Sequence, residues 1–304
     1  PRSPRWLGRV LPRATDATMS EGGTIEALTP EQEAAINSEA MTKFKVLYQK
    51  ILKPLEERYA FAQFMDLEPM RDEELDAKPM VMLLGQYSTG KTSLVRRLVG
   101  GNFPGMRVGP EPTTDKFTAV LHTDGEDDTI SGATLSMTPA QPFAGLRRFG
   151  PAFLNSFSGA LTDSDFLSRI NIVDTPGVLS GASLRDYGLQ AVCRWFAVRA
   201  DLILLLFDGN KLEVSDEFRK IIRDLWGHEE KVRLILNKCD LLSSDDLMKV
   251  YGALMWAMGK CLKSTPEVPR IYTTAFGSDA DVEAALKGGA HLDGEAGEAG
   301  DEGK

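Results

Sequence analysis

The sequence predicts an α/β protein with a mainly parallel sheet covered by helices on both faces, preceded by a helical segment. Three observations lead there. From about residue 80 to residue 276, short apolar runs alternate with longer segments of helical periodicity. The runs are continuous rather than alternating, as in "LILLLF" at Leu202–Phe207, the pattern of strands buried on both faces. A content of 42% hydrophobic and 26% charged residues over 304 positions is that of a chain able to bury one large core.

The elements follow in order. Thr29 as cap and Pro30 at the first helical position open a helix that runs through Phe64, interrupted at Pro54. Phe44, Leu47, Ile51 and Leu55 share one face of it. An acidic loop over Asp66–Ala77 leads to a strand at Met80–Leu84, and a helix follows at Lys91–Val99. A β-rich stretch is expected at Phe117–His122 and at Ala133–Met137, then a helix across Phe143–Phe157. Strands at Arg169–Asp174, Asp201–Asp208, Lys231–Asn237 and Arg270–Phe276 alternate with helices at Leu184–Arg199, Ser215–Gly227 and Asp245–Leu262. After Phe276 the composition turns to Gly, Ala and acids, from which no core can be built.

Charge and composition exclude several functions. From Gly277 onward eight acidic residues stand against Lys287 and Lys304, so the tail carries −6 of the net −9 and the rest is near neutral at −3. That balance gives no sign of a nucleic-acid partner. Cys193, Cys239 and Cys261 are scattered and odd in number, which argues against a disulfide framework or zinc site and for small buried thiols in a reducing compartment. His122, His228 and His291 are equally dispersed. The longest apolar run is far too short to span a bilayer, so any membrane contact is expected to be peripheral. The first 18 residues hold four arginines and one acid. They read either as a targeting segment or as sequence upstream of a start at Met19, and the second reading is preferred.

The chemistry concentrates in "GQYSTGKT", Gly85–Thr92, which matches G-x-x-x-x-G-K-[ST] between an apolar strand and a helix. Gly85 and Gly90 let the backbone curl so that its N–H groups face phosphate at a helix N-terminus, with Gln86, Tyr87, Ser88, Thr89 and Ser93 among the residues expected to bind it. Lys91 places a point charge on the β- and γ-oxygens, and the Thr92 hydroxyl ligates Mg²⁺. Downstream, "IVDTPG" ends a strand at Asp174, which would hold the metal through water, and the Gly177 N–H could sense the γ-phosphate. "PEPTTD", Pro110–Asp115, lies where a mobile loop would bring Thr113 or Thr114 onto the metal. "NKCD", with Asn237, Lys238 and Asp240, then marks the base site. This order of elements is that of the GTPase class of P-loop proteins. The fold expectation is therefore a P-loop nucleoside triphosphatase. Its domain spans residues 76–276, preceded by a helical segment at 29–75 and flanked by extensions at 1–28 and 277–304.

Two departures bear on mechanism. Val178 follows "DTPG", where small GTPases carry a water-positioning Gln, and Tyr87 occupies the loop position where dynamin-type GTPases carry a catalytic Gln. Hydrolysis is expected to be slow alone and to depend on switch ordering or a neighbouring molecule.

Taken together, "KPMVMLLGQYSTGKTSLVRRL", "NFPGMRVGPEPTTDKFTAV", "RFGPAFLNSF", "DTPGVLSG", "WFAVRADLILLLFDGNKLEVSDEF" and "KVYGALMWAMGK" closely resemble the Eps15-homology-domain-containing (EHD) family of dynamin-related membrane-remodelling proteins. The resemblance covers roughly Glu39–Phe276. It implies a dynamin-like G-domain fold and ATP binding with slow hydrolysis despite an N-K-x-D motif. It also implies a homodimer around a helix with an exposed Trp, here Trp256, and assembly of dimers on peripheral membranes of endosomes or the cell surface. The residues Leu247, Val250, Tyr251, Leu254, Met255, Trp256 and Met258 make an apolar band wider than one buried stripe requires, which suits such an interface. Gln141–Phe143 resembles the family's "KPF" assembly loop with Gln for Lys. Phe276 borders the base pocket, while Gly277 stands where the family has a Trp. The family's later helical segment and Eps15-homology domain are missing from this sequence, so the chain reads as a fragment, a truncated gene model or an isoform with impaired membrane tubulation, and the acidic tail would repel anionic lipids. Three functions therefore compete: an ATP-hydrolysing membrane remodeller, a GTPase with guanine held by Asp240, and a nucleotide-gated dimerisation module of negligible turnover.

Overall fold

The computed structural model describes residues 30–65, 72–106, 116–138, 141–178, 188–212, 214–225, 227–261 and 270–276. The chain divides into two compact units, Pro1–Ala77 with Ala140–Pro142, and Lys78–Pro139 with Phe143–Lys304.

In the first unit, helix α1 (Pro30–Leu47) passes through a π-helical turn (Tyr48–Leu52) into α2 (Lys53–Arg58), followed by α3 (Phe61–Met65) and α4 (Asp72–Asp76). Pro54 has no N–H to give the carbonyl of Lys50, and the Lys53 N–H reaches back five residues to Tyr48 O. The break therefore falls a turn before the proline rather than at it. The expected acidic loop is partly helical, since Asp72–Asp76 closes a short helix. Tyr48 and Leu75 are buried; the Tyr48 hydroxyl donates to Glu56 Oε2 at 2.9 Å, and Lys45 pairs with Asp76. Leu47, Ile51 and Leu55, which helical spacing sets on one face, are exposed.

The second unit is built on an eight-stranded sheet: β1 (Met80–Gly85), β2 (Phe117–His122), β3 (Asp128–Ser131), β4 (Phe157–Thr162), β5 (Asn171–Asp174), β6 (Leu202–Asp208), β7 (Val232–Asn237) and β8 (Ile271–Thr273). Their spatial order is β3-β4-β2-β5-β1-β6-β7-β8. All neighbouring pairs are parallel except β2 with β5 and β3 with β4. The helices are α5 (Lys91–Val99), α6 (Gly132–Met137), α7 (Gly150–Leu154), α8 (Leu189–Arg199), α9 (Asp216–Asp224) and α10 (Ser244–Cys261).

The expectation of a strand at Ala133–Met137 is corrected to α6. The Ser131 side chain accepts the Thr134 N–H and caps a helix start there. The expected long helix over Phe143–Phe157 is a 3₁₀ turn at Ala144–Phe149 followed by α7, and its last residue begins β4.

Period-2 alternation along β1 sends Met80, Met82 and Leu84 to one face and Leu83 to the other. The first face carries the larger core, with Phe196 of α8, Phe218 of α9 and Leu254 of α10. Five phenylalanines from different elements, Phe117, Phe143, Phe153, Phe157 and Phe196, lock together in it at centroid distances of 5.5–6.5 Å. Phe143, expected in an assembly loop, is fully buried in this cluster. The other face is covered by α5 through Leu94 and Val95, with Phe103 and Leu167. Cys193 and Cys261 are buried as expected, whereas Cys239 is only partly so. On α10, Leu254 and Met258 point inward while Met248 (75% exposed) and Trp256 (69%) face out, with Lys260 Nζ 4.7 Å above the indole.

Candidate functional site

Strands β1, β5, β6, β7 and β8 are mutually parallel, so their carboxyl ends share one edge of the sheet, where ligands of such folds bind. That edge collects Gly85, Asp174, Asp208, Asn237 and the Thr274 that follows β8.

The phosphate loop leaves β1 at Gly85 and enters α5 at Lys91. Two close approaches require its glycines. A Cβ on Gly85 would lie 2.7 Å from Leu206 O. Gly90 has φ +89°, and a Cβ there would lie 2.3 Å from Asn237 Nδ2. Within the loop, Ser88 adopts φ 62° and the Thr89 hydroxyl donates to Gln86 O at 3.0 Å. Lys91 is buried, its ammonium donating to Gly85 O (3.1 Å) and Gln86 O (2.9 Å). Burial lowers its pKa from 10.5 to about 8, against the pull of the Asp174 charge.

Asp174 ends β5 and is 1% exposed. Burial pushes its carboxyl upward, opposed by Lys91 and by the Thr92 hydroxyl, which donates to Oδ2 at 2.7 Å. Its Oδ1 is buried and has no hydrogen-bond partner among the described residues. A buried carboxylate oxygen left over beside a threonine hydroxyl is the donor chemistry a hard divalent cation takes, so the residues fit Mg²⁺.

The segment after Asp174 is stitched to the loop. Thr175 donates its hydroxyl to Leu83 O at 2.7 Å, Tyr87 N–H to Val178 O at 3.3 Å, and Val178 N–H to Gly85 O at 3.3 Å. Gly177 lies so close that a Cβ would stand 2.9 Å from Tyr87 Cα. Val178 itself is buried.

At the other end, Asn237 Nδ2 donates to Thr89 O at 3.0 Å, and its Oδ1 accepts from the Thr274 hydroxyl at 3.3 Å. Asn237 therefore braces the phosphate loop against β8. Lys238 has φ 63° and an ammonium 2.6 Å from Asp208 Oδ2. Asp240 is exposed on the turn that follows, and Phe276 is half-buried near Gly90.

The structure thus gathers Gly85, Gln86, Tyr87, Ser88, Thr89, Gly90, Lys91, Thr92, Asp174, Gly177, Asn237, Lys238 and Phe276 at one edge, with Ser93 in the first turn of α5. Thr113, Thr114 and Gly277 lie outside the described residues. Sequence reasoning passed over Thr175, Asp208 and Thr274. A lone acid closing the apolar run of β6 was the available signal for Asp208.

A family model described as 50S ribosome-binding GTPase matches residues 80–238, more than half of the chain. Human EH domain-containing protein 2 is 50% identical over 251 residues, covering 82% of this chain and 46% of that protein. Bovine EH domain-containing protein 1 is 50% identical over 235 residues, covering 76% and 43%. The chain thus spans less than half the length of these relatives. Among solved structures, one from an oligomerised bacterial dynamin pair described as sensing and tethering membranes aligns with 86% of this chain and 41% of its own, at 18% identity and a TM-score of 0.48. With the phosphate loop, Asp174 and the N-K-x-D segment at one sheet edge, and half of the residues it aligns with those relatives identical, the chain belongs to the P-loop GTPase family of that model and, within it, to the EH domain-containing proteins.

Proposed function

We propose that the chain binds ATP with Mg²⁺, hydrolyses it slowly, and serves as the nucleotide domain of a dynamin-like protein that remodels membranes in endocytic recycling. The observation that carries this reading is the preformed cradle: the loop at the start of α5, the buried Lys91, and Thr92 bonded to a carboxylate with one oxygen unsatisfied. Thr92 directly and Asp174 through water would hold the magnesium, which when bound neutralises charge on the β- and γ-oxygens. Lys91 exchanges two carbonyl partners for phosphate oxygens, and the α5 N-terminus orients the triphosphate. Thr113 or Thr114 would complete the metal's surroundings, Tyr87 and Gly177 would line the γ-phosphate side, and Phe276 the base side. Val178 offers no proton acceptor and its backbone is tied to the loop, which supports slow turnover.

The preference for ATP is supported by the EHD resemblance. Exposed Met248 and Trp256 on α10 support a homodimer through that helix, with higher oligomers on endosomal or plasma membranes as peripheral, cytoplasmic assemblies. Among the described residues no helix is long and apolar enough to cross a membrane. A second reading, a GTPase, is favoured by Asp240, whose exposed carboxylate stands two residues beyond Lys238 and could accept the N–H groups of guanine. Phosphate release from ATP and GTP, measured over a range of liposome concentrations with Lys91→Ala as control, tests the proposal. A lipid-stimulated rate with ATP supports it; a rate independent of lipid, or confined to GTP, contradicts it.

A further inference from the structure

We infer that Asp208 is a positioning residue for nucleotide binding: it locks Lys238 in place as a wall of the base site. This inference rests on the nucleotide-binding reading above. Asp208 ends β6, next to β7 in register with Asn237, so the two strands deliver Asp208 and the N-K-x-D segment to one point. Its Oδ2 receives the Lys238 ammonium at 2.6 Å, and its Oδ1 accepts the Asn210 N–H at 2.9 Å. Both oxygens are therefore engaged, and the side chain is only 13% exposed.

The junction is tied on both sides. Gly209 N–H donates to Asn237 O at 2.8 Å, and a Cβ on Gly209 would stand 3.0 Å from Leu242 Cδ1 and 3.1 Å from Asn237 O. Lys238 holds a left-handed backbone at φ 63°, a conformation that a non-glycine residue adopts only where its surroundings fix it. A lysine with its ammonium loose would have to give up rotamer freedom each time a base packed along its methylene stem. Paired with Asp208, the stem is already ordered beside the Asn237 that braces the phosphate loop. Asp208 touches no nucleotide in this scheme; it acts through Lys238.

The test compares three probes, ATP, GTP and inorganic tripolyphosphate, by calorimetry with wild type, Asp208→Asn, Lys238→Met and the double variant. Asp208→Asn keeps an oxygen for Asn210 and removes the charge. It is expected to weaken the nucleotide that wild type binds by about 5- to 20-fold while leaving tripolyphosphate within about twofold. Added to Lys238→Met it should change nothing further, because the pair acts as a unit. Nucleotide affinity unchanged in Asp208→Asn, an additive double variant, or equal loss of tripolyphosphate each overturns the assignment alone. A wild type that binds tripolyphosphate but neither nucleotide overturns the underlying site reading together with it.

Discussion

Replacing Gly90 by alanine separates what the phosphate loop asks of its backbone from what it asks of its neighbours. Gly90 sits at φ +89°, and alanine in the left-handed region costs roughly 1–2 kcal/mol. The new Cβ would also lie 2.3 Å from Asn237 Nδ2, far inside contact distance, so the amide must swing away from Thr89 O. Stranding that buried pair costs roughly a further 1–3 kcal/mol, which brings the total to about 2–5 kcal/mol. Gly100, with φ +85° and nothing within 4 Å of its Cβ position, supplies the control: Gly100→Ala should cost only the backbone share of about 1–2 kcal/mol. Urea unfolding followed by tryptophan fluorescence reads both. Midpoints that place the two variants within about 0.5 kcal/mol of each other refute the idea that Asn237 braces the loop.

Three further outcomes are expected. Burial holds Lys91 at about 8 instead of 10.5, so between those pH values the unfolded chain carries a proton that the folded chain lacks, and stability must rise with pH through that window. Relative to Lys91→Met, wild type should gain roughly 3 kcal/mol from pH 8 to 10.5; a flat difference across that range rules this out. Asp174→Ala should weaken the dependence of triphosphate binding on Mg²⁺ by about 10- to 100-fold, as read by magnesium titration at fixed nucleotide, and an unchanged titration removes Asp174 from the metal site. Trp256→Ala, at a side chain 69% exposed, should shift unfolding by no more than about 0.5 kcal/mol. In sedimentation it should weaken self-association by about 2 kcal/mol or more, and a monomeric wild type contradicts the dimer.

What could be read from the sequence was whatever is local. Continuous apolar runs located β1, β2, β5, β6 and β7 because a strand buried on both faces needs no partner to declare itself. The phosphate loop declared itself because its residue pattern is complete within eight positions, although the backbone and side chain that crowd its glycines belong to the distant Leu206 and Asn237. Other features depend on distant neighbours. β4 was hidden at the end of an expected helix, and its Gly159 admits Leu135, 3.3 Å from where a Cβ would stand. The first residue of α6, Gly132, has to be glycine because Leu154 O and Phe157 O crowd within 2.6 Å of its Cβ position, a constraint set more than twenty residues away. The antiparallel pairing of β2 with β5, the Asn237–Thr89 brace and the Lys238–Asp208 pair all join segments far apart in sequence. No periodicity encodes them. The face of α1 and α2 that reads as amphipathic is exposed at Leu47, Ile51 and Leu55, because helical spacing identifies a face without identifying what covers it.

The central claim is that this sheet edge binds ATP with Mg²⁺ even though it carries an N-K-x-D segment. Calorimetry of the wild-type chain with Mg²⁺ and either ATP or GTP tests it most directly. ATP should bind at least about tenfold more tightly than GTP, and Lys91→Ala should abolish both heats. GTP binding more tightly than ATP, through the exposed Asp240, contradicts it.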